Sequence, residues 1–183
     1  MGKLSEVKLD DDEFLRMTRF CNAADNAEDN RRRAVLLGFD ESSGIRVATG
    51  AIVRLRPGSH VGKNVFIGLY CYVNGVVIIE DNVLLGPGCA ITAGQHKFDP
   101  ATGWFSARTE ADGDESIKIG QGSWLCAHVT VTPGVKIGRA NLICAGAVVT
   151  HSTPDYAIMA GIPARQAGRI DPETGKYHWN KDN

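Results

Sequence analysis

A branched aliphatic residue recurs at every sixth position over two stretches of this 183-residue chain, from Leu55 to Ile91 and from Ile119 to Val149. The thirteen positions are Leu55, Val61, Ile67, Val73, Ile79, Leu85, Ile91, Ile119, Leu125, Val131, Ile137, Ile143 and Val149. A period of six matches neither the α-helical period of about 3.6 nor the strand period of about 2. We therefore predict short strands that alternate with corners and stack coil upon coil around an aliphatic interior.

Residues around the aliphatic positions follow the same period. The fourth residue after each aliphatic is mostly small or β-branched, and Asn141 is the exception. Glycine often stands next to an aliphatic position, as expected where a chain turns a tight corner with positive φ. Proline–glycine pairs, which are typical of turns, recur at Pro57-Gly58, Pro87-Gly88 and Pro133-Gly134. The flanking residues thus support strands joined by regular corners.

The five cysteines are spaced in a way that favours packing over redox chemistry. Cys71 and Cys89 are eighteen residues apart, as are Cys126 and Cys144, so each pair is expected to stack in adjacent coils. Parallel side chains at a coil spacing of about 4.8 Å leave their Cβ atoms slightly too far apart for an unstrained disulfide. The cysteines also lack the short paired spacings of a zinc site. We expect free thiols in a reducing compartment.

Composition and charge exclude several classes of function. Lys and Arg number 20 against 21 Asp and Glu, which leaves no global charge to attract nucleic acid or an anionic membrane. No run approaches about eighteen consecutive apolar residues, and the acidic segment MGKLSEVKLDDDEF lacks the apolar core of a signal peptide. We therefore expect a soluble cytoplasmic protein with no nucleic-acid or membrane partner.

Changes of pattern along the chain divide it into three segments. Residues 1–48 are predicted to form an N-terminal helical segment, residues 49–170 the repetitive domain, and residues 171–183 a polar tail. Within residues 10–38 we expect one or two helices that stop at Gly38. The expected apolar anchors of these helices are Phe14, Leu15, Met17, Phe20, Val35, Leu36 and Leu37.

The repeat is interrupted between Ile91 and Ile119. These positions are 28 residues apart, which is not a multiple of six, so part of the intervening chain must leave the coil. We expect residues of about 94–116 to form an external loop. Long loops in compact repeat proteins are usually functional. Because this loop carries His96, that residue is the first candidate for a catalytic side chain.

Two stretches resemble a known family. The segment TAGQHKFDP is similar to the Thr-Ala-Thr-His-Pro-Leu-Asp-Pro segment of the maltose and galactoside O-acetyltransferases. The run from Ile119 onward resembles the last coils of that group and ends in its Gly-x-Pro-Ala-Lys/Arg signature at Gly161 to Arg165. The resemblance covers roughly residues 55–170 and points to the hexapeptide-repeat acyltransferases. It implies an all-β fold, a left-handed parallel β-helix in which three hexapeptides make one triangular coil.

The resemblance implies a reaction as well as a fold. The loop histidine of that family is a general base, and His96 matches it. A sugar hydroxyl would lose its proton to the imidazole as it attacks the thioester of acetyl-CoA, in a direct transfer without a covalent enzyme intermediate. Histidine is suited to this role because its pKa in water is about 6.5. No metal is expected.

Residues for acetyl-CoA and for the acceptor are also implied by the resemblance. Those expected along the pantetheine groove and at the nucleotide end of acetyl-CoA are Trp124, Ala127, Ala145, Thr150 and Arg165. The acceptor-binding Asn and Asp of the family correspond to Tyr70 and Asn74 here, which changes the available hydrogen bonds. The acceptor is therefore expected to be a sugar or sugar-like molecule other than galactoside or maltose. Transfer to an oxygen and transfer to a nitrogen both stay open.

Further expectations concern assembly and alternatives. Relatives of this kind are trimers with active sites between subunits, so the resemblance implies a homotrimer. A non-catalytic β-helix scaffold is one alternative function. A γ-type carbonic anhydrase is another, but it requires a His-x4-His pair, and no two of the five histidines are five positions apart. If His96 is not the base, His128 is the next candidate. His151 stands where relatives often have a lysine near CoA.

Overall fold

Three parallel sheets form the body of the molecule. The computed structural model describes residues 10–23, 26–105 and 114–180, with the side chains of residues 19–23 excepted. Successive strands visit the three sheets in turn, so each full coil contributes one strand to each sheet. The result is a β-solenoid with three faces, which confirms the stacked coils expected from the period of six.

The strands are numbered in chain order and grouped by face. The first face contains β1 (Arg46–Val47), β4 (Phe66–Ile67), β7 (Leu84–Leu85), β12 (Trp124–Leu125), β15 (Leu142–Ile143) and β17 (Ala157–Ala160), followed by antiparallel β18 (Arg165–Ile170) and β19 (Tyr177–Trp179). The second face contains β2 (Ile52–Leu55), β5 (Tyr72–Gly75), β8 (Ala90–Thr92), β13 (Thr130–Val131) and β16 (Val148–Val149). The third face contains β3 (His60–Val61), β6 (Val77–Ile79), β11 (Ile117–Ile119) and β14 (Lys136–Ile137). The interrupting loop contains a separate hairpin of β9 (Phe98–Asp99) and β10 (Trp104–Phe105).

The interior is lined by the aliphatic residues of the repeat. Of the thirteen positions, all except Leu55 and Val61 are buried. Val65, Val83 and Val129, each four residues after a repeat position, are buried too. Each coil alone leaves its apolar side chains uncovered, and stacking removes them from water at roughly 25 cal/mol per Å². The exceptional Asn141 is also buried, but its side chain donates to the carbonyl of Pro154 (2.8 Å) and accepts from Thr153 Oγ1 (2.8 Å).

The register of Leu55 differs from the prediction. Val53 pairs with Val73, whereas Leu55 pairs with Gly75, so Val53 and not Leu55 holds the repeat position in the first coil. These partners are 20 positions apart, although pairs in the next coil, such as Phe66 and Leu84, are 18 apart. The first coil is longer because its corner between β2 and β3 contains two more residues than the corner between β5 and β6.

The expected stacking of cysteines is confirmed. Cys71 and Cys89 are buried. The hydrogen bond between the two thiols is the main cause that raises the pKa of Cys89, and burial is the second. Cys89 Sγ donates to the carbonyl oxygen of Cys126 (3.1 Å). Cys126 and Cys144 are partly buried, and burial together with Cys144 raises the pKa of Cys126. All four of these residues are free thiols.

Two α-helices, α1 (Asp11–Ala23) and α2 (Ala27–Leu36), precede the solenoid, and a short 3-10 helix (Glu41–Ser43) joins them to it. The small side chain of Ala34 enters the core, and Arg33 donates to the carbonyl of Val47 in β1 (3.4 Å). Helix α2 therefore covers the N-terminal end of the coil. Gly38 has a φ of 90°, which confirms it as the stop after α2. In the part of the chain that the structure describes, no helix is long and apolar enough to cross a membrane.

The prediction of which apolar residues anchor these helices to the solenoid is wrong. Phe14, Leu15, Met17, Val35, Leu36 and Leu37 are all exposed, and the side chain of Phe20 lies outside the described residues. The side of α2 that faces the solenoid instead carries Asn30 and Ala34, both buried. Close approach of a helix to the end of a strand requires small side chains, and the larger apolar residues of α2 are therefore left on its outer side.

Replacement of Gly75 by alanine tests the closeness of adjacent coils at the point where the loop begins. Gly75 has a φ of 98°, and an added Cβ would lie 2.0 Å from the carbonyl oxygen of Ala93. We expect Gly75→Ala to lower the free energy of unfolding by about 2–4 kcal/mol in urea. Gly146→Ala is the matched control, because Gly146 has a φ of 71° and no atom within 4 Å of an added Cβ. Its cost should be about 1 kcal/mol, and equal costs would contradict the steric explanation.

Candidate active site

The interrupting loop leaves the solenoid between β8 and β11. Val77 in β6 pairs with Ile117 in β11, 40 positions later, whereas coil partners elsewhere, such as His60 and Ile78, are 18 apart. The loop therefore adds 22 residues to this coil. The chain leaves at Gly94, whose φ is 129°. Because the coil resumes in register, the loop extends the surface without disturbing the aliphatic interior.

His96 lies on the surface where this loop begins. It is exposed and follows β8 by four residues. Asn74 in β5 pairs with Thr92 of β8, and its carbonyl accepts a hydrogen bond from the backbone of Ala93 (2.8 Å). The structure thus brings the predicted base and one predicted acceptor-binding residue to the same end of the second face. We call this end the loop corner, defined by Asn74–Gly75 and Ala93–Gly94.

A hairpin follows His96 directly. The side chain and backbone of Asp99 hold its turn, since Asp99 accepts hydrogen bonds from the backbone of Ala101 (2.9 Å) and Gly103 (2.8 Å). Phe98 pairs with Phe105, and their rings meet edge to face with centroids 5.6 Å apart. This hairpin was not predicted from the sequence. Its signal was the turn sequence Asp-Pro-Ala-Thr-Gly with aromatic residues on both sides.

Ion pairs fix the returning end of the loop. Lys136 Nζ lies 2.9 Å from Asp114 Oδ2 and donates to the carbonyl of Ser116 (2.8 Å). Lys118 Nζ lies 2.6 Å from Glu80 Oε1, and its hydrogen bond lowers the pKa of Glu80. Residues 106–113, between the hairpin and this anchor, lie outside the described part of the loop.

The anchor at Asp114 predicts a pH dependence. Hydrogen bonds from Ser116 and then from Lys136 lower the pKa of Asp114 to about 2. The ordinary value is about 3.9, so the anchor is complete above that pH and is lost as the pH falls through about 2. Carboxyl NMR titration should give a midpoint near 2 for Asp114, and Lys136→Met should raise it. A midpoint near the ordinary value in the unmodified chain would show that the anchor does not form in solution.

The residues predicted to bind acetyl-CoA lie on the first face, at the corner that follows it and at the end of the second face. Ala127 and Ala145 stack at the corner between the first and second faces, where the backbone of Gly146 donates to the carbonyl of Ala127 (2.9 Å). We call this the alanine corner. Ala145 is exposed, and no atom lies within 4 Å of a Cβ added to Gly146. Trp124 lies on the outer side of the first face, in β12, and is half-exposed.

Thr150 and Arg165 lie at the last coil. Thr150 follows β16, and its Oγ1 is 2.9 Å from Nδ1 of His151. The segment before Arg165, which contains a cis Ile162–Pro163 bond, returns to β16, since the backbone of Ala164 donates to the carbonyl of Val148 (2.8 Å). Arg165 is exposed beside that strand. The predicted set therefore extends from the first face, across the alanine corner, to the end of the second face.

Tyr70 and Asn74 lie at opposite ends of the second face. Tyr70 lies at the alanine corner with a φ of 55°, and its ring occupies the place of a Cβ on Gly50. His128 has the same corner position two coils later, with its ring over Gly88. Four residues of extended chain span about 13 Å. Tyr70 and Asn74, the two residues predicted to bind the acceptor, are therefore not adjacent within one chain.

Two pockets in the described parts of the chain, of about 490 and 380 Å³, are lined by residues outside the predicted site. The larger is lined by Arg169, Asp171, Pro172, Glu173 and His178, and the smaller by Glu28, Arg31, Arg32, Val35, Leu36 and Glu41. Within the ranges that the structure describes, no cluster of three or more His, Cys, Asp or Glu residues is arranged to hold a metal ion.

Comparison with known proteins identifies relatives of this chain. Residues 46–93 match the bacterial transferase hexapeptide (six repeats) model, and residues 116–151 match the hexapeptide repeat of succinyl-transferase. Nodulation protein L of Rhizobium meliloti (strain 1021) is 33% identical over 67% of this chain and 69% of its own length. The chain belongs to the hexapeptide-repeat acyltransferases. This confirms the family resemblance predicted from the sequence.

Other members of this family show how far the similarity extends. Galactoside O-acetyltransferase of Escherichia coli (strain K12) is 32% identical over 66% of this chain and 61% of its own length. The chain spans 61%, 56% and 58% of three of the curated relatives it matches. The solved structure of AntD, an N-acyltransferase from Bacillus cereus in complex with dTDP-4-amino-4,6-dideoxyglucose and coenzyme A, has a TM-score of 0.60 at 18% identity. The match covers 70% of this chain and 72% of AntD, and it supports the fold.

Proposed function

We propose that this chain transfers an acetyl group from acetyl-CoA to a hydroxyl or amine of a sugar-like acceptor, with His96 as the general base. One observation carries the proposal: a 22-residue excursion takes His96 out of an otherwise regular coil, directly after strand β8, which pairs with Asn74 through Thr92. The galactoside O-acetyltransferases among the relatives support transfer of acetyl to a sugar.

The chemistry requires little beyond a positioned base. The acceptor oxygen or nitrogen attacks the thioester carbonyl carbon and loses its proton to the imidazole of His96. The carbon–sulfur bond then breaks, and CoA leaves as a thiol with that proton. General-base assistance of this kind contributes about two to four orders of magnitude. No metal has a role in this reaction.

The alanine corner suits an extended ligand such as the pantetheine arm. Ala127, Ala145 and the open space over Gly146 allow a chain to approach the coil backbone closely. Trp124 would flank the ligand on the first face, and Thr150 and Arg165 would meet its distal part at the last coil. The small side chains and exposed cation present here therefore fit CoA.

The site is proposed to be shared between subunits. Tyr70 and Asn74 lie at opposite ends of the second face, about 13 Å apart along the chain, which favours an acceptor that meets these two residues in different copies. A homotrimer supplies that arrangement and closes without unpaired interfaces. The proposal includes three further predictions from the sequence. The coil is left-handed, the chain divides into residues 1–48, 49–170 and 171–183, and the protein is cytoplasmic.

A release assay for the CoA thiol tests the function directly. The chain is incubated with acetyl-CoA and each of a panel of sugars, amino sugars, nucleotide sugars and aminoglycosides. At least one acceptor should raise thiol release above the hydrolysis background, and mass spectrometry should show its acetylated product. A folded chain that acetylates no member of the panel would contradict the proposal. An acetylated amine would decide for transfer to nitrogen.

A further inference from the structure

Helix α1 turns an apolar side to solvent. Its described side chains, from Asp11 to Thr18, are all exposed, and Phe14 and Met17 are 64% and 54% exposed. Phe14, Leu15 and Met17 lie on one side of the helix, and Asp11 precedes Phe14 and Leu15 by one turn on that side. A helix of 13 residues is marginal in water unless an apolar side packs on another surface. The exposed side of α1 therefore indicates a docking partner.

The outer side of α2 has a matching character. It lies opposite the buried residues that pack on the solenoid, and it lines the pocket of about 380 Å³. The lining residues are Glu28, Arg31, Arg32, Val35, Leu36 and, from the 3-10 helix, Glu41. Leu36 is 86% exposed. Arg32 already lies 3.7 Å from Asp29, so Arg31 is the cation of this side that a partner would meet. The outer side thus offers a cation followed one turn later by an apolar pair.

The two helices match when they lie parallel. In α1 the acidic Asp11 is followed one turn later by the apolar Leu15, and in α2 the basic Arg31 is followed one turn later by the apolar Val35. Parallel packing with Leu15 beside Val35 also brings Asp11 beside Arg31, so one register satisfies the charges and the apolar side chains together. Antiparallel packing with the same apolar contact turns Asp11 toward Glu41, which is a like charge.

The short link between the helices excludes this parallel packing within one chain. In the parallel register, Ala23 lies about 24 Å along the helix axis from Ala27. Residues 24–26 join the two helices and reach at most about 15 Å. The α1 that packs on the outer side of α2 must therefore come from another copy.

We propose that α1 of one copy docks in parallel on the outer side of α2 of a second copy, with Asp11 beside Arg31 and Leu15 beside Val35. The contact joins the copies at the N-terminal ends of their solenoids, because α2 covers that end. It involves none of the residues proposed for acetyl transfer and does not depend on that function.

Cross-linking tests which copy supplies α1. The variant Leu15→Cys/Val35→Cys, made together with Cys21→Ser, is treated with a short bis-maleimide. It should give covalent dimers and larger species, and mass spectrometry should show an α1 peptide joined to an α2 peptide. Leu15→Cys and Val35→Cys alone, each with Cys21→Ser, control for cross-links through the other cysteines and should not give this product.

Charge reversal in the cross-linking variant tests the register. Asp11→Arg should slow formation of the covalent dimer at least about fivefold, and the further change Arg31→Glu should restore it. Asp12→Arg is the matched control, because it makes the same change of charge on the polar side of α1. It should change the rate by less than about twofold.

Three results would overturn the inference: no covalent dimer or cross-links only within single chains, equal yields in the single variants, or equal effects of Asp11→Arg and Asp12→Arg. Where no dimer forms, the unmodified chain is sedimented with phosphatidylglycerol vesicles. Binding that Leu36→Asp abolishes would then assign the outer side of α2 to a membrane surface instead of a second copy.

Discussion

Replacement of His96 by alanine should lower kcat for acetyl transfer by about two to four orders of magnitude. The reason is that the acceptor must lose its proton as it attacks the thioester, and we propose that the imidazole of His96, in the interrupting loop, accepts it. The Kd of acetyl-CoA should change by less than about twofold, because His96 is not one of the residues proposed to bind acetyl-CoA. Steady-state thiol release and calorimetry measure the two quantities.

His178→Ala is the control for the loss of an exposed imidazole. His178 is exposed in β19, which pairs with β18 at the edge of the first face, and it is not one of the residues of the proposed site. Its substitution should leave kcat within about twofold. Retained activity in His96→Ala would show that the base lies elsewhere. His128 would then be examined next, because it lies exposed at the alanine corner.

Leu85→Ala should lower the free energy of unfolding by about 3–5 kcal/mol. Leu85 is fully buried and pairs with Ile67 and Leu125 in adjacent coils of the first face. Loss of its side chain leaves a cavity between three coils that the paired backbones cannot close. The urea midpoint at a fixed protein concentration measures the change.

The neighbouring residue supplies the control for this substitution. Leu84 is in the same strand but points outward and is 41% exposed. Leu84→Ala should cost less than about 1 kcal/mol. Comparable costs for the two variants would contradict a solenoid whose interior is lined by the repeat positions, because only one of the two leucines belongs to the repeat.

The interior of the solenoid could be predicted because one physical requirement repeats in every coil. Each coil must bury an aliphatic residue on each face, so a period of six is visible without any contact being known. The prediction was wrong at Leu55, where the corner is two residues longer. Because Val53 and Leu55 are both hydrophobic, the sequence alone allows either of them to hold the repeat position. The pairing of β2 with β5 decides for Val53.

The flanking helices and the site were harder to predict. Apolar residues in α1 and α2 suggested anchors, but a helix docks through the residues that permit close approach, here Asn30 and Ala34. The excursion at His96 was predictable because it breaks the period. The separation of Tyr70 from Asn74 along the second face was not predicted, because family correspondence carries no information on which end of a face a residue occupies.

Calorimetric titration with acetyl-CoA is the most direct test of the claim that this chain binds acetyl-CoA as its co-substrate. The account predicts a saturable heat of binding, with one acetyl-CoA for each chain and a Kd below about 1 mM. Gly146→Val should abolish it by filling the open space at the alanine corner, while circular dichroism shows the solenoid intact. No heat from the folded, unmodified chain at millimolar acetyl-CoA would contradict the account and indicate a scaffold without this co-substrate.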